Sequence, residues 1–354
     1  MKYATLSSRP VEFSASGGVN GSGSATLVRN KTITYNRICS TGFESVATAP
    51  MFPGRIIWCG TYFVIAFNTT TAYKSVDGVS WESLTLPQAF NGGDNVIHVS
   101  GNKAFMSNNA GAIYTTDGGS TWYASTLNGF SGPDSIGYTV NTMSTDGNST
   151  IISQRYVSGV AHNNMAYSTD SGATWNLTAA LPNSYAATGN DYTWYDGNYF
   201  LLTRYGLDGI WYSSNGISWN YTSMPPMGGI SSGVKLGGSN GYSYLLTYGG
   251  TIRILNTNNF TLTNSPHSIY NNAGYRGQFT KDSSITNLGA YFNGSSAYFL
   301  ITEPLEYCNY KTPIGRGINF IAASPNYILG IDGSTSNIWR KAFPLARDTR
   351  TVTY

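Results

Sequence analysis

The sequence predicts an all-β fold of repeated small sheets, and three observations lead there. Charged residues make up only 10% of the 354-residue chain while aromatics reach 14%, with 41 Gly and 27 Tyr. Such a chain is rich in strand formers and turn residues and poor in the residues that fill helices. Second, one tight reversal of direction is written into the chain four times. Third, the tryptophans that close those reversals, Trp81, Trp122, Trp175 and Trp219, lie 41, 53 and 44 residues apart. That spacing is the length of a unit of four short strands.

The reversal is clearest at Ala166–Trp175, Ala-Tyr-Ser-Thr-Asp-Ser-Gly-Ala-Thr-Trp. Tyr167 and Ser168 read as the end of one strand, Thr174 and Trp175 as the start of the next. Asp170 closes the turn by accepting bonds from backbone N–H groups a few residues on. Gly172 supplies a positive φ that a residue with a Cβ resists. Trp175 is the large apolar anchor that seats the hairpin. Thr115, Asp117, Gly119 and Trp122 repeat the pattern at the same offsets. Ser75, Asp77, Gly78 and Trp81 form a version shorter by one residue, as do Ser213, Asn215, Gly216 and Trp219. Asn at position 215 tolerates the turn conformation and keeps one acceptor oxygen.

This Ser/Thr-x-Asp-x-Gly-x-Thr-Trp pattern resembles the Asp-box, or BNR repeat, of β-propellers such as sialidases and sortilin-type receptors. The resemblance spans residues from about Arg55 to Pro225. It implies a β-propeller of four-stranded blades, with the boxes on the blade periphery and on the face away from any active site.

Taken in order, residues 1–46 read as an amino-terminal arm, with a flexible Gly/Ser stretch from Ser14 to Ser24. Two readings of that segment stay open: an arm that docks elsewhere, or a strand that returns to complete the last blade. Residues 47–354 read as the propeller. Blade one begins at Arg55, blade two covers Val96–Leu127, blade three Ser135–Leu181 and blade four Tyr192–Pro225. Beyond Pro226 the boxes decay while the strand rhythm continues through Tyr242–Thr263, Ile285–Lys311 and Ile318–Phe343. Seven blades are expected, with six as the alternative. The run Tyr62–Phe67 suits a strand covered on both faces.

The net charge of +3 and the absence of Lys/Arg runs argue against a nucleic-acid partner. The first residues lack the apolar run of an export signal, and Tyr62–Phe67 is far too short to cross a bilayer. No membrane insertion is expected. Cys39, Cys59 and Cys308 are an odd number without metal-site spacing, which fits buried thiols in a reducing compartment. His98, His162 and His267 lack both metal spacing and a nucleophile partner, and one carboxylate per turn is too few for calcium. No cofactor, metal or catalytic residue is therefore expected.

The resemblance to sialidases raises a glycosidase alternative. There Arg55, Arg155, Arg204 and Arg253 would clamp a carboxylate, with Glu303, Glu306 and Tyr307 as the nucleophilic group. A fold does not carry its function with it, however. The Gly/Ser/Thr/Asn/Tyr-rich, charge-poor composition is similar to that of bacteriophage tail and fibre proteins. It implies a non-enzymatic structural propeller of a virion, folded in the host cytoplasm, acting as tail-associated adaptor or host-contact module. Its partners would be other virion proteins, reached through the arm, and a host-surface glycan or receptor. A cellular propeller scaffold, such as the Asp-box assembly factors of photosynthetic membranes, is the remaining alternative.

Overall fold

A computed structural model describes residues 33–38, 44–51, 55–66, 69–90, 95–108, 111–131, 134–136, 143–157, 160–183, 191–204, 209–224, 234–239, 241–246, 251–268, 279–280, 288–293, 296–302, 305–311, 318–332, 335–342 and 347–352. These residues contain strands and turns but no helix, and none could therefore cross a membrane as a helix. The Gly/Ser stretch at 14–24 lies outside them.

The chain divides into two units, Ile38–Ala346 and a smaller one made of Met1–Arg37 with Arg347–Tyr354. In the larger unit the described strands form seven consecutive sheets. The first is Arg55–Trp58, Phe63–Ala66, Thr71–Ser75 and Glu82–Thr85, each strand antiparallel to the one before. The second is Asn95–Ser100, Lys103–Asn108, Gly111–Thr115 and Tyr123–Ala124. The fourth (Asp191–Tyr195 to Asn220–Ser223), fifth (Val234–Ser239 to Thr261–Ser268) and sixth (Phe279–Thr280 to Leu305–Lys311) repeat the plan.

Two sheets depart from it. In the third, the inner position is shared by Asp134–Ile136 and Met143–Thr145, both paired to Ile151–Val157. Val160–Ser168 and Thr174–Ala180 follow, and Thr126–Leu127 joins Thr174–Ala180 in parallel. Thr126 and Leu127, read from sequence as the end of blade two, thus cap the outer edge of the third sheet. Covering an open strand edge in this way removes unpaired backbone groups.

The seventh sheet takes Ile318–Ala323, Tyr327–Asp332 and Asn337–Ala342 from the end of the chain and its outer strand, Glu44–Thr48, from the beginning. Glu44–Thr48 runs across the boundary drawn from sequence between residues 46 and 47. Arg347–Val352 pairs with Ile33–Ile38 in a separate two-stranded sheet.

Each sheet packs on its successor, and the inner strand Ile318–Ala323 of the seventh packs beside Arg55–Trp58 of the first. The count of sheets among the described strands is consistent with the seven blades expected. The core lies in the gaps between neighbouring sheets. Ile56, Phe63 and Ile65 meet Leu329, Ile331 and Ile338 across the gap between the seventh sheet and the first. Ile57, Val64 and Ala66 use the other face of the same sheet to meet Ala104, Met106 and Ile113 of the second. This is why Phe63–Ala66 is apolar at every position: a strand covered on both faces has no water side. Phe105 and Trp175 fill the next gap with ring centroids 4.8 Å apart.

Candidate functional site: the turn face

The four tryptophan-ended turns join the third strand to the fourth in the first four sheets, all at the same edge. Ser75 Oγ donates to Asp77 Oδ1 at 3.2 Å and accepts from Gly78 N at 2.9 Å. Asp77 Oδ1 also accepts from Val79 N and Ser80 N. Asn215 Oδ1 accepts the matching bonds from Ser213 Oγ, Ile217 N and Ser218 N, with Gly216 N donating to Ser213 Oγ. In the longer turns Thr115 and Asp117, and Ser168 and Asp170, make the same pairing, and the carboxylates reach Thr121 N and Thr174 N. The serine and threonine hydroxyls are buried, so these bonds also satisfy groups that would otherwise be costly to bury.

The extra residue of the longer turns is left-handed. Gly118 and Gly119 have φ of 77° and 94°, and Ser171 and Gly172 have 64° and 97°. The short turns need only Gly78 and Gly216 in that region. Trp81, Trp175 and Trp219 close the turns by donating Nε1 to the carbonyl of Gly78, Gly172 and Gly216. Trp122 is buried without such a partner among the described residues.

Each turn glycine also touches the preceding sheet, a relation the sequence pattern did not reveal. A Cβ on Gly172 would lie 2.4 Å from Phe105 Cδ2. On Gly119 it would meet Cys59 Cβ and Val64 Cγ2 at 3.0 Å, on Gly216 Ile152 Cγ2 at 2.7 Å, and on Gly78 Leu329 at 2.7 Å. In every case a second-strand side chain of the preceding sheet presses on the bare Cα. Glycine is required here twice over, for its φ and for close approach. The turns are therefore blade-to-blade locks, each in its own sheet, and do not converge on one site.

A fifth turn of this kind lies at Thr257–Thr261. Asn259 Oδ1 accepts from Thr261 N and Thr261 Oγ1, and Phe260 holds the left-handed position with φ 52°. The Phe260 ring packs on Tyr212 and Tyr199 of the preceding sheet, with centroids 4.6 and 6.2 Å away. Thr257 Oγ1 bonds to the carboxylate of Asp196, also in that sheet. Beyond Pro226 the box is thus reduced, as expected: the side-chain-to-N–H bond and the left-handed residue remain, while the Thr257 hydroxyl turns to Asp196 instead of pairing with Asn259. Spacing was the available signal, since Thr263 lies 44 residues after Trp219.

Electrostatics follow the same bonds. Partial burial opposes ionisation of Asp77, but the N–H groups of Val79 and Ser80, the Ser75 hydroxyl and the Arg340 charge together hold it below the usual carboxylate range. Asp117 is likewise held low, against burial, by Thr121, Thr115 and Ser120. Burial, and then the Asp117 charge, push the Cys59 thiol well up. Cys59 is fully buried; the side chains of Cys39 and Cys308 lie outside the described residues.

On the opposite edge the candidate arginines sit on strands of different rank. Arg55 begins an inner strand, Arg155 is in a second strand and Arg253 in a third. Arg155 Nη1 donates to Asn164 Oδ1, which also meets His162 Nδ1 at 2.9 Å. Arg204 ends a second strand, and Glu306 and Tyr307 lie in Leu305–Lys311, but their side chains, like Glu303, are outside the described residues. His98 Nε2 contacts Gly101 O at 2.8 Å, and the His267 side chain is outside the described set. Among the described residues no group of three His, Cys, Asp or Glu is placed to hold a metal ion.

No protein-family model and no curated protein matches the sequence. Solved structures do. A streptogramin B lyase aligns with TM-score 0.55 at 11% identity, over 88% of this chain and 97% of that one. The catalytically inactive virginiamycin B lyase from Staphylococcus aureus, crystallised with quinupristin, aligns at 0.54 and 14% identity over 88% and 99%. The WD40 β-propeller domain of Doa1 aligns at 0.53 and 12% identity over 86% and 98%. The fold is that of a β-propeller. At these identities the likeness speaks of the propeller scaffold alone.

Among the described residues, the large apolar side chains left most exposed share one face of this propeller. Val76 (56%) and Val79 (41%) tip the first turn and Ile217 (36%) the fourth. Tyr123 (49%) follows Trp122, and Tyr242 (41%) begins the second strand of the fifth sheet, at the edge where first-to-second turns also lie.

Proposed function

We propose that the chain is a non-enzymatic structural propeller of a bacteriophage particle, a tail-associated adaptor or host-contact module, whose four Trp-ended turns are Asp-boxes. The observation that carries this reading is the turn face itself. Every turn there is spent on locking one sheet to the one before, and the same face leaves Val76, Val79, Tyr123, Ile217 and Tyr242 exposed as contact surface. The sparse charge and the Gly/Ser/Thr/Asn/Tyr-rich composition support placement in a virion. The part of residues 1–46 that precedes Glu44–Thr48, the strand that completes the seventh sheet, would join neighbouring virion proteins, and aromatic loop side chains would stack on a host glycan.

The arginines give the glycosidase alternative less support, because Arg55, Arg155 and Arg253 stand on strands of three different ranks. The test is mass spectrometry of purified phage particles encoding this chain, where it should appear in fixed stoichiometry with tail proteins. Its absence from particles, or sialoside turnover by the purified protein that is lost in Arg55→Ala, would overturn the proposal.

A further inference from the structure

The fourth turn carries Asn215 where the other three carry aspartate, and Gly216 follows it. Asn-Gly is the sequence in which a backbone nitrogen most easily reaches the preceding side-chain carbonyl, because glycine has no Cβ in the way. The turn arranges the groups that such an attack needs. Ser213 Oγ accepts the Gly216 N–H at 2.8 Å while donating its own proton to Asn215 Oδ1 at 3.1 Å. Two further donors, Ile217 N at 2.9 Å and Ser218 N at 3.0 Å, point at the same Oδ1. Asn215 is exposed, so water enters and ammonia leaves freely.

From this geometry we infer that Asn215–Gly216 is a self-modification site, at which the folded turn promotes deamidation of its own asparagine. The Gly216 nitrogen bonds to Asn215 Cγ, its proton passing to Ser213 Oγ as the serine proton passes to Oδ1. Charge growing on Oδ1 is met by the Ile217 and Ser218 N–H groups. The resulting carbinolamine returns its hydroxyl proton to Nδ2, the Cγ–Nδ2 bond breaks and ammonia departs, leaving a five-membered imide. Water then opens the imide to aspartate or isoaspartate. No oxidant or reductant is involved. The aspartate product fits the site, because Asp77 occupies the equivalent place in a turn of the same length with the same four bonds. The reaction would turn a neutral turn into an anionic one matching its three counterparts.

The test is peptide mapping by mass spectrometry of the intact folded protein during incubation at neutral pH, following replacement of NH2 by OH at residue 215. Asn128–Gly129 serves as internal control, since there the Asn128 side chain is tied by Nδ2 to Asn176 Oδ1 of the neighbouring strand. Position 215 should convert about tenfold faster in the folded protein than in a synthetic peptide of the same turn, and faster than position 128. Ser213→Ala should slow it by about tenfold or more. Because Ser213→Ala also weakens the turn, the folded-versus-peptide comparison stands without it. Conversion in the folded protein no faster than in the peptide, or faster in Ser213→Ala than in the parent, would overturn the inference.

Discussion

Arg340 donates from Nε and Nη2 to a single oxygen of Glu44, at 3.1 and 2.9 Å, across 296 residues of sequence. The pair joins the strand that begins the larger unit to the third strand of its last sheet. Arg340 also reaches the carbonyl of Asp77 in the first sheet and lies over the Tyr327 ring at 4.9 Å. One guanidinium thus ties the first and last described strands of the larger unit to the first turn.

Those contacts differ in worth. Glu44 is 61% exposed, so its charge is screened. Glu44→Ala should cost about 0.5 kcal/mol in urea denaturation at low salt and almost nothing at high salt. Arg340→Ala loses the ring and the Asp77 carbonyl as well, and should cost about 1–2 kcal/mol, most of it retained at high salt. Equal losses in the two variants would show that only the ion pair matters.

Gly172→Ala separates close approach from backbone strain when set beside Gly129→Ala. Both positions have positive φ, 97° and 78°. A Cβ at 172 collides with Phe105, whereas at 129 the nearest atom is Leu177 Cδ1 at 3.7 Å. Gly129→Ala should cost about 1 kcal/mol and Gly172→Ala about 3 kcal/mol or more by chemical denaturation. Similar costs would mean that the glycine serves φ alone.

Ser171 gives the opposite sign. It holds φ 64° without being glycine, and its buried Oγ has no partner among the described residues. Gly118 fills the same place in the second turn. Ser171→Gly should therefore stabilise the protein by about 0.5–1 kcal/mol, seen as a rise in Tm. A fall in Tm would place the Ser171 side chain among the contacts that hold the turn.

Much of this propeller was legible because the turns spell out their own chemistry. A hydroxyl, a carboxylate, a glycine and a tryptophan at fixed offsets leave few other conformations, and runs such as Phe63–Ala66 show burial on both faces. What stayed hidden depends on partners far away in sequence. Nothing local in Glu44–Thr48 says that it pairs with Asn337–Ala342. Nothing in Gly172 says that Phe105 presses on it. The fifth turn escaped notice because Phe260 stands where glycine is expected, its ring supplying the inter-sheet contact that the glycine–tryptophan pair supplies elsewhere.

That substitution makes Phe260 an anchor. Phe260→Ala keeps the positive φ but removes the ring from Tyr199 and Tyr212. The loss should be about 2–3 kcal/mol. Phe260→Gly relaxes the backbone as well, and in thermal unfolding it should be less harmful than Phe260→Ala. If the alanine variant proves neutral, the fifth sheet is held by the Thr257–Asp196 bond instead.

Asp77 and Asp117 contribute to the response to acid. Their folded pKa values lie below the unfolded value of about 3.9, so the folded protein binds fewer protons there. Their contribution is complete above the unfolded value and disappears as the pH falls through the folded ones. Asn215 shows that an amide keeps the same turn bonds without a charge to titrate. The double variant Asp77→Asn, Asp117→Asn should therefore fold like the parent near neutrality, and lose less stability than the parent as the pH falls below the unfolded value of about 3.9. Denaturation midpoints measured over that fall in pH provide the check. An equally steep acid limb in both proteins would mean that other carboxylates govern it and that the turns hold their shape through geometry rather than charge.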